Sequence, residues 1–386
     1  MSVLLHKKVV MSVTNDLVTD QRVHRSCMAL CDAGYLPTLV GRRLPMSPPL
    51  SRQYPTVRMR LLFRKSALFY AEYNLRLFLR LLFAKADLFY ANDTDTLLAN
   101  YLAARLRRKP LFFDAHEMFP EVPELVGRPA VKRFWTAIED WILPRMARRH
   151  DMAAVTVCRS IADIYLERYG LKMGVVRNVP MHVEADQQAA QPFLLRLPPN
   201  KHLLLYQGAV NVGRGIDWLM DAMPLLDHCH LVVAGVGDEY QRLSSLALQE
   251  PYLGRVTFLG RVEPPALKCL TAKASLGLVL LENRGLNYYY SLPNRIGDFV
   301  EAGVPLLATD FPEIRSVVKK YNIGTLLDTS HSDAIRLAHT IRTTLLQWQQ
   351  LAPSEKASRF NKARADLSWD NEKKSLLSAI NTISNV

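Results

Sequence analysis

The residue types best suited to chemistry gather around prolines, glycines and arginines in the second half of the chain. In Tyr288-Tyr-Tyr-Ser-Leu-Pro-Asn-Arg-Ile-Gly-Asp-Phe-Val-Glu-Ala-Gly, Pro293 preorganises a helix start and Asn294 suits its first turn. Gly303 stops that helix ahead of an apolar strand. A helix N-terminus offers free backbone N–H groups and partial positive charge, which suits a diphosphate. Arg295, in the same turn, can add charge-assisted bonds, and Asp298, one turn later, can accept from ribose hydroxyls. Upstream, Tyr206-Gln-Gly-Ala-Val-Asn-Val-Gly-Arg-Gly-Ile-Asp reads as strand, glycine loop and helix, with Gly208 permitting close approach to the backbone. Gly235-Val-Gly237 imitates a dinucleotide glycine pattern. Its sixth position is Tyr240, however, and it follows the second strand of its half rather than the first, so NAD binding is not expected.

In the first half, Phe112-Phe-Asp-Ala-His-Glu-Met-Phe sets Asp114, His116 and Glu117 just past a strand, at the carboxyl end where ligands of open α/β sheets bind. In residues 14–25, Asp20 can cap a helix, and Asn15, Arg22 and Arg25 are expected around the mouth of a cleft. Asp93-Thr-Asp95 has the D-x-D spacing that can hold Mn²⁺ or Mg²⁺. It falls at a strand–helix junction, where Asp93 or Asp95 makes an N-cap, and capping is the favoured reading. Within Arg58–Phe89, Lys65, Glu72, Arg76 and Arg80 form one stripe of a helix whose other faces are Leu, Phe and Tyr. Two readings stand side by side there: a basic amphipathic segment for an anionic membrane surface, or a helix packed on the sheet with a solvated charged stripe.

The elements that must position these residues alternate strand and helix almost throughout, the pattern of parallel sheets with crossover helices. Strands are expected at Val9–Val13, Pro37–Val40, Leu88–Ala91, Leu111–Phe113 and Ala154–Val157. The cycle restarts with Leu203–Tyr206, His230–Ala234, Val256–Leu259, Leu276–Leu280 and Leu306–Ala308. The expected architecture is α/β, with two Rossmann-like doubly wound domains facing across a cleft. Their bounds are 1–180 and 181–369, joined near Arg177–Pro192, with a C-terminal helix at 370–386 that can cross back to the first domain. Residues 1–180 carry 28 Lys/Arg against 16 Asp/Glu, and the rest 21 against 20. The basicity therefore belongs to the first half, the one expected to meet an anionic partner. Cys27, Cys31, Cys158, Cys229 and Cys269 lack the His or second Cys pair of a metal site and read as reduced thiols. The start, LLHKKVVMSV, reads as a strand rather than a signal peptide, and no apolar run is long enough to span a bilayer. A cytoplasmic protein is the expectation.

Tyr288–Ala308 resembles the donor-binding signature of family 4 glycosyltransferases, retaining enzymes of the GT-B fold. That signature has two acids eight positions apart, and Asp298 falls on the second while Tyr290 stands at the first, for which Glu282 is a possible substitute. Tyr206–Asp217 resembles the family's phosphate-embracing loop, with Gly208, with Arg214 in place of its usual lysine, and with Ala209 where a first cation stands. Phe258-Leu-Gly-Arg-Val-Glu-Pro resembles the base-reading loop, which puts Val262 against the base, and the pair Gly235 and Gly237 is similar to one that lines the family's donor cleft. Asp114-Ala-His116-Glu117 and Asp20-Gln-Arg22-Val resemble motifs of one subgroup. The resemblance implies transfer of a hexose-type sugar from a nucleoside-diphosphate donor to a hydroxyl of a glycan or lipid-linked glycan, in cell-surface polysaccharide or lipopolysaccharide synthesis. His116 would contact the transferred sugar or the acceptor, Glu117 would orient it, and Asn15, Asp20, Arg22 and Asp114 would line the acceptor side. Arginines and helix termini would neutralise the diphosphate, with no cofactor, no metal and no nucleic acid. The rival readings are a sugar-nucleotide epimerase of the same architecture, separable by product analysis with donor alone, and a basic nucleic-acid-binding protein.

Overall fold

The computed structural model describes residues 6–18, 20–122, 125, 127–180, 183–328 and 333–384. Leu4 and Leu5 of the expected first strand run, and Met181 and His182 of the expected joint, lie outside them. The chain forms two compact units, residues 1–178 with 370–386, and residues 179–369.

The first unit holds strands β1 (Lys8–Asp16), β2 (Leu36–Arg42), β3 (Thr56–Met59), β4 (Leu88–Asn92), β5 (Leu111–Ala115), β6 (Met152–Thr156) and β7 (Gly174–Val175). Its helices are α1 (Gln21–Asp32), α2 (Ser66–Phe83), α3 (Thr94–Arg107), α4 (Pro129–Met146) and α5 (Arg159–Tyr169). The sheet order is β3-β2-β1-β4-β5-β6-β7, with every pairing parallel. The order reverses between β1 and β4, so the carboxyl ends of these strands form the crevice where such sheets bind ligands.

The second unit opens with helix α6 (Gln187–Leu194). It then holds β8 (His202–Gln207), α7 (Ile216–Ala222), β9 (Cys229–Ala234), α8 (Tyr240–Leu246), β10 (Val256–Gly260), α9 (Pro264–Lys273) and β11 (Leu276–Val279). After β11 come α10 (Leu286–Tyr289), α11 (Arg295–Ala302), β12 (Leu306–Thr309), α12 (Pro312–Tyr321), β13 (Gly324–Leu327), α13 (Ala334–Gln350) and α14 (Pro353–Asp366). Its parallel sheet runs β10-β9-β8-β11-β12-β13, with the reversal between β8 and β11. Alternate strand residues feed opposite faces. Leu204, Tyr206, Leu231, Val233 and Leu278 join one apolar core, and Leu205, Val232, Ala234, Val279 and Leu306 join the other. A parallel sheet covered on both faces requires such uninterrupted apolar strands.

The last helix, α15 (Trp369–Ser384), belongs to the first unit. Leu376, Ile380 and Ile383 are buried. Glu372 pairs with Arg177 at 2.7 Å and Lys373 with Asp32 at 2.5 Å. Of the expected helical stripe, Glu72, Arg76 and Arg80 lie on α2 and Lys65 does not. Arg58 lies on β3, whose Thr-Val-Arg-Met side chains suit a half-buried strand, and Lys65 only precedes α2. Phe69, Tyr73, Leu77 and Leu81 bury one face of α2, while Leu68, Leu75, Leu79 and Phe83 stay exposed beside Arg76 and Arg80.

Candidate active site

In the second unit the chemistry collects at the reversal point. The loop leaving β8 begins at Gly208, with φ 125°. Arg295, 7% exposed, donates from Nη1 to the Gln207 carbonyl at 3.0 Å and lays its guanidinium on the Tyr206 ring, 4.6 Å from the centroid. Its Nε and Nη2 are buried without a hydrogen-bond partner. A buried cation with unused donors is costly unless an anion completes it, so the observed arrangement fits an oxyanion ligand. Arg214, on the same loop, stacks on Tyr288 at 4.7 Å and likewise leaves Nε without a partner.

α11 starts at Arg295, with Asn294 as N-cap in helical conformation and no side-chain capping bond. Pro293 precedes it, its carbonyl accepting from the Ile296 N–H at 3.0 Å. The Gly297 N–H likewise donates to the Asn294 carbonyl at 2.9 Å, so the first turn offers a ligand chiefly the positive end of the helix dipole, with no side chain in the way. Gly303, at φ 75°, ends the helix. Asp298 accepts from Gln207 Nε2 at 2.7 Å, and Gln207 Oε1 accepts from Thr271 at 2.9 Å. Gln207 was missed in the sequence reading, although a polar residue closing an apolar strand before glycine was its signal. Tyr290 is half-buried, edge-on to Tyr289 with centroids 4.9 Å apart. Glu282 pairs with Arg284 at 2.7 Å, Ala209 is exposed, and Val262 follows β10 half-buried against the core. A Cβ at Gly235 would collide with the Gly208 carbonyl, and one at Gly237 with Val210 and Asn211. These two glycines therefore let two loops press together, and hydrogen bonds from Gly208 N to Ala234 and from Val210 N to Val236 hold them.

In the first unit, Asp20 caps α1 through Val23 N at 3.0 Å and accepts from Asn15 at 3.0 Å. Arg22 and Arg25, expected around a cleft mouth, are instead buried. Arg22 pairs with Asp114 at 2.7 Å and donates to the Val176 carbonyl at 2.9 Å, while Arg25 donates to Asn178. Asp114 is fully buried and also accepts from Tyr90 at 2.8 Å, so it supports the site from below and does not line it. Burial would raise its pKa, but Arg22 and His116 hold the carboxyl well below the usual carboxylate range.

His116 and Glu117 remain half-buried past the end of β5. Asp93 stands at the N-cap of α3 as expected, but its side chain makes no capping bond. Asp93 accepts from the His116 backbone N–H at 2.7 Å and pairs with His116 Nδ1 at 3.1 Å. Asp95 is buried and accepts from Thr14. Burial and the neighbouring Asp93 push its pKa up to about 8. Burial would lower the His116 pKa, but Asp93 and Asp114 push it up to about 10. Among the described residues no cluster of three metal-ligating side chains occurs.

Two Rossmann-like domains of this strand order define a GT-B glycosyltransferase fold. Residues 20–187 match the Glycosyltransferase Family 4 description and residues 201–346 match Glycosyl transferases group 1. The chain belongs to the family 4 glycosyltransferases. It is 25% identical over 197 residues to a phosphatidyl-myo-inositol mannosyltransferase of Mycobacterium leprae, an alignment spanning 47% of this chain and 48% of that one, about half the relative's length. The fold is similar to sucrose-phosphate synthase of Thermosynechococcus elongatus, at TM-score 0.73 and 17% identity over 98% of this chain and 99% of that one. It is also similar to Anabaena HepE in complex with UDP and glucose, at TM-score 0.72 and 14% identity over 98% and 100%.

Proposed function

We propose that this glycosyltransferase moves a hexose-type sugar from a nucleoside-diphosphate donor to a hydroxyl of a glycan or lipid-linked glycan, with retention of configuration. The observation that carries the reading is Arg295, a buried cation with unused donors beside Gly208 at the end of β8. In this reading Arg295, Arg214 and the first turn of α11 stabilise the charge that grows on the leaving diphosphate. No nucleophilic side chain is invoked. The diphosphate takes the proton of the incoming hydroxyl on the face it leaves, and His116 and Glu117 are assigned to the sugar or acceptor. Neutralisation by arginines makes metal unnecessary, so EDTA leaves the rate unchanged. Thermal-shift measurements with UDP-, GDP- and ADP-sugars test the donor. One nucleotide series should raise the melting temperature, and no response to any of them removes the donor reading.

The acceptor reading includes an anionic membrane surface. α2 packs on the sheet with one face and yet exposes Leu68, Leu75, Leu79 and Phe83 among Arg76, Arg80 and Lys85. Apolar side chains ringed by arginines suit the boundary of an anionic leaflet, and no helix among the described residues is long and apolar enough to cross a membrane. Such a surface fits synthesis of a cell-surface polysaccharide or lipopolysaccharide. Sedimentation with phosphatidylglycerol vesicles should capture the wild type and release Leu75→Ser/Leu79→Ser; equal capture of both removes α2 from the contact.

A further inference from the structure

Asp93 sits at φ 58° and ψ 165°, a conformation essentially restricted to glycine. It opens α3, where an aspartate normally spends its carboxylate on the free N–H groups of the helix. Here both carboxylate oxygens are turned instead to one residue, Oδ1 to the His116 backbone N–H at 2.7 Å and Oδ2 to His116 Nδ1 at 3.1 Å. The Asp93 N–H donates to the Asp114 carbonyl at 2.9 Å, so the strained residue is tied into the edge of β5 as well. His116 Nε2 lies 3.6 Å from Asp114 Oδ2 and is buried without a hydrogen-bond partner.

We propose that Asp93 is a positioning residue, whose carboxylate on Nδ1, with Asp114 behind Nε2, clamps His116 as an imidazolium at the carboxyl end of β5, so that the cation is fixed in place for the bound substrate. The inference rests on the reading of His116 as an acceptor-side residue. Strain persists in a fold where the surroundings over-determine it, and such outliers cluster where a site needs one geometry. The charge arrangement agrees. The ring faces Asp93 from the start of α3 and Asp114 from β5. Asp114 is in turn met by Arg22 from α1 and by Tyr90 from β4. Two cations, Arg22 and His116, thus stand against two anions, Asp93 and Asp114. Asp95, also near Asp93 and Glu117, is pushed toward its neutral form by burial, which weakens it as a third anion.

The experiment is a pH titration of the imidazole resonances of full-length protein labelled with ¹⁵N-histidine, His116 being assigned from its absence in His116→Gln. In the wild type the His116 ring stays doubly protonated through pH 8, and in Asp93→Asn its titration falls by at least about one pH unit as the carboxylate is lost. Turnover of the UDP-, GDP- or ADP-sugar that stabilises the protein should fall about 10- to 100-fold in Asp93→Asn at nearly unchanged donor KM. Asp93→Gly supplies the control for a turn-shaping role. Glycine adopts this backbone without strain, so a residue kept for the turn alone is replaced without loss, whereas a clamp is not. An unshifted His116 titration in Asp93→Asn, or full turnover in Asp93→Gly, overturns the proposal. Full turnover in His116→Gln with the titration shift intact sinks the acceptor-side reading of His116 and leaves the clamp standing.

Discussion

Replacing Arg295 by methionine should separate the stability of the empty protein from its affinity for nucleotide. Methionine keeps the length of the side chain and removes its charge. The loss comprises one hydrogen bond to the Gln207 carbonyl, worth about 1 kcal/mol, and stacking on Tyr206. That stacking contributes about 0.5–2 kcal/mol. Against it stands relief of a buried, incompletely satisfied cation, for which apolar replacement is often neutral or stabilising by about 1–4 kcal/mol. The two sides nearly cancel, so the empty variant should melt within a few degrees of the wild type, on a scale of about 2–4 °C per kcal/mol. With ligand the outcome diverges. At a nucleotide concentration of about 100 Kd the wild type gains about 2.7 kcal/mol. Losing a charge-assisted contact of about 2–3 kcal/mol weakens binding roughly 100-fold. The same concentration then contributes only about 0.4 kcal/mol, so most of the ligand-induced rise in melting temperature disappears. Turnover should fall about 10²- to 10³-fold as well. Differential scanning fluorimetry with and without the stabilising nucleoside diphosphate reads both arms. A variant that keeps the full ligand-induced shift refutes the phosphate role. One that melts far below the wild type without ligand shows that Arg295 serves the fold.

Four further variants follow from the same structure. Gly235→Ala should cost about 2 kcal/mol or more, because its Cβ meets the Gly208 carbonyl at a φ of 153°, and nucleotide-induced stabilisation should fall with it. Gly208→Ala, whose Cβ would reach only Arg295 Nη1 at 3.4 Å, should be milder in a thermal melt. Asp114→Ala should destabilise by about 3–5 kcal/mol in urea titrations, since Arg22 is left as an uncompensated buried cation. His116→Gln should be least stable relative to the wild type below pH 6.5 and should converge on it by about pH 10. The native pKa, lowered by burial but raised overall to about 10 by Asp93 and Asp114, lies above the unfolded value, so the contribution is complete at low pH and lost as pH rises through that window. A gap that widens with pH contradicts the assigned charge state.

The two sheets were legible in the sequence because parallel strands covered on both faces are continuous apolar runs, and ten of them stand clear of their surroundings. Of the four edge strands only Val256–Gly260 was, and the other three were not. Thr56–Met59, Gly174–Val175 and Gly324–Leu327 are two to four residues long and half-exposed, so they carry too little apolar periodicity to read. Candidate residues were legible by their place at strand ends, but the destinations of their side chains were not. Arg22 looks like a solvated helix arginine until Asp114, 92 positions away, is brought beneath it. Asp93 looks like an N-cap by every local rule. Only the backbone turn at φ 58° sends its carboxylate across to His116. Arg58–Phe89 misled for a related reason: Lys65 precedes α2, and Glu72 spends its carboxylate on the Leu62 and Phe63 N–H groups of the preceding loop.

The buried charges divide the labour between the two units. In the first, Arg22 has Asp114 and His116 has Asp93, so the cations are matched by carboxylates of the chain itself, and the network can be complete before any substrate arrives. In the second, Arg295 is as deeply buried as Arg22, but it meets a backbone carbonyl and an aromatic ring. Each offers partial negative charge and neither offers a full one. The desolvation cost of such a cation is tolerable in a fold chiefly when a ligand supplies the missing charge. A carboxylate introduced beside it would serve as an internal substitute. Gly208→Asp, whose Cβ would stand 3.4 Å from Arg295 Nη1, should therefore compete with the diphosphate. The expected result is nucleotide affinity lowered more steeply than by Gly208→Asn, which has nearly the same shape and the same backbone strain without the charge. Equal loss in both variants would assign the effect to shape and leave the charge of Arg295 without a part in binding.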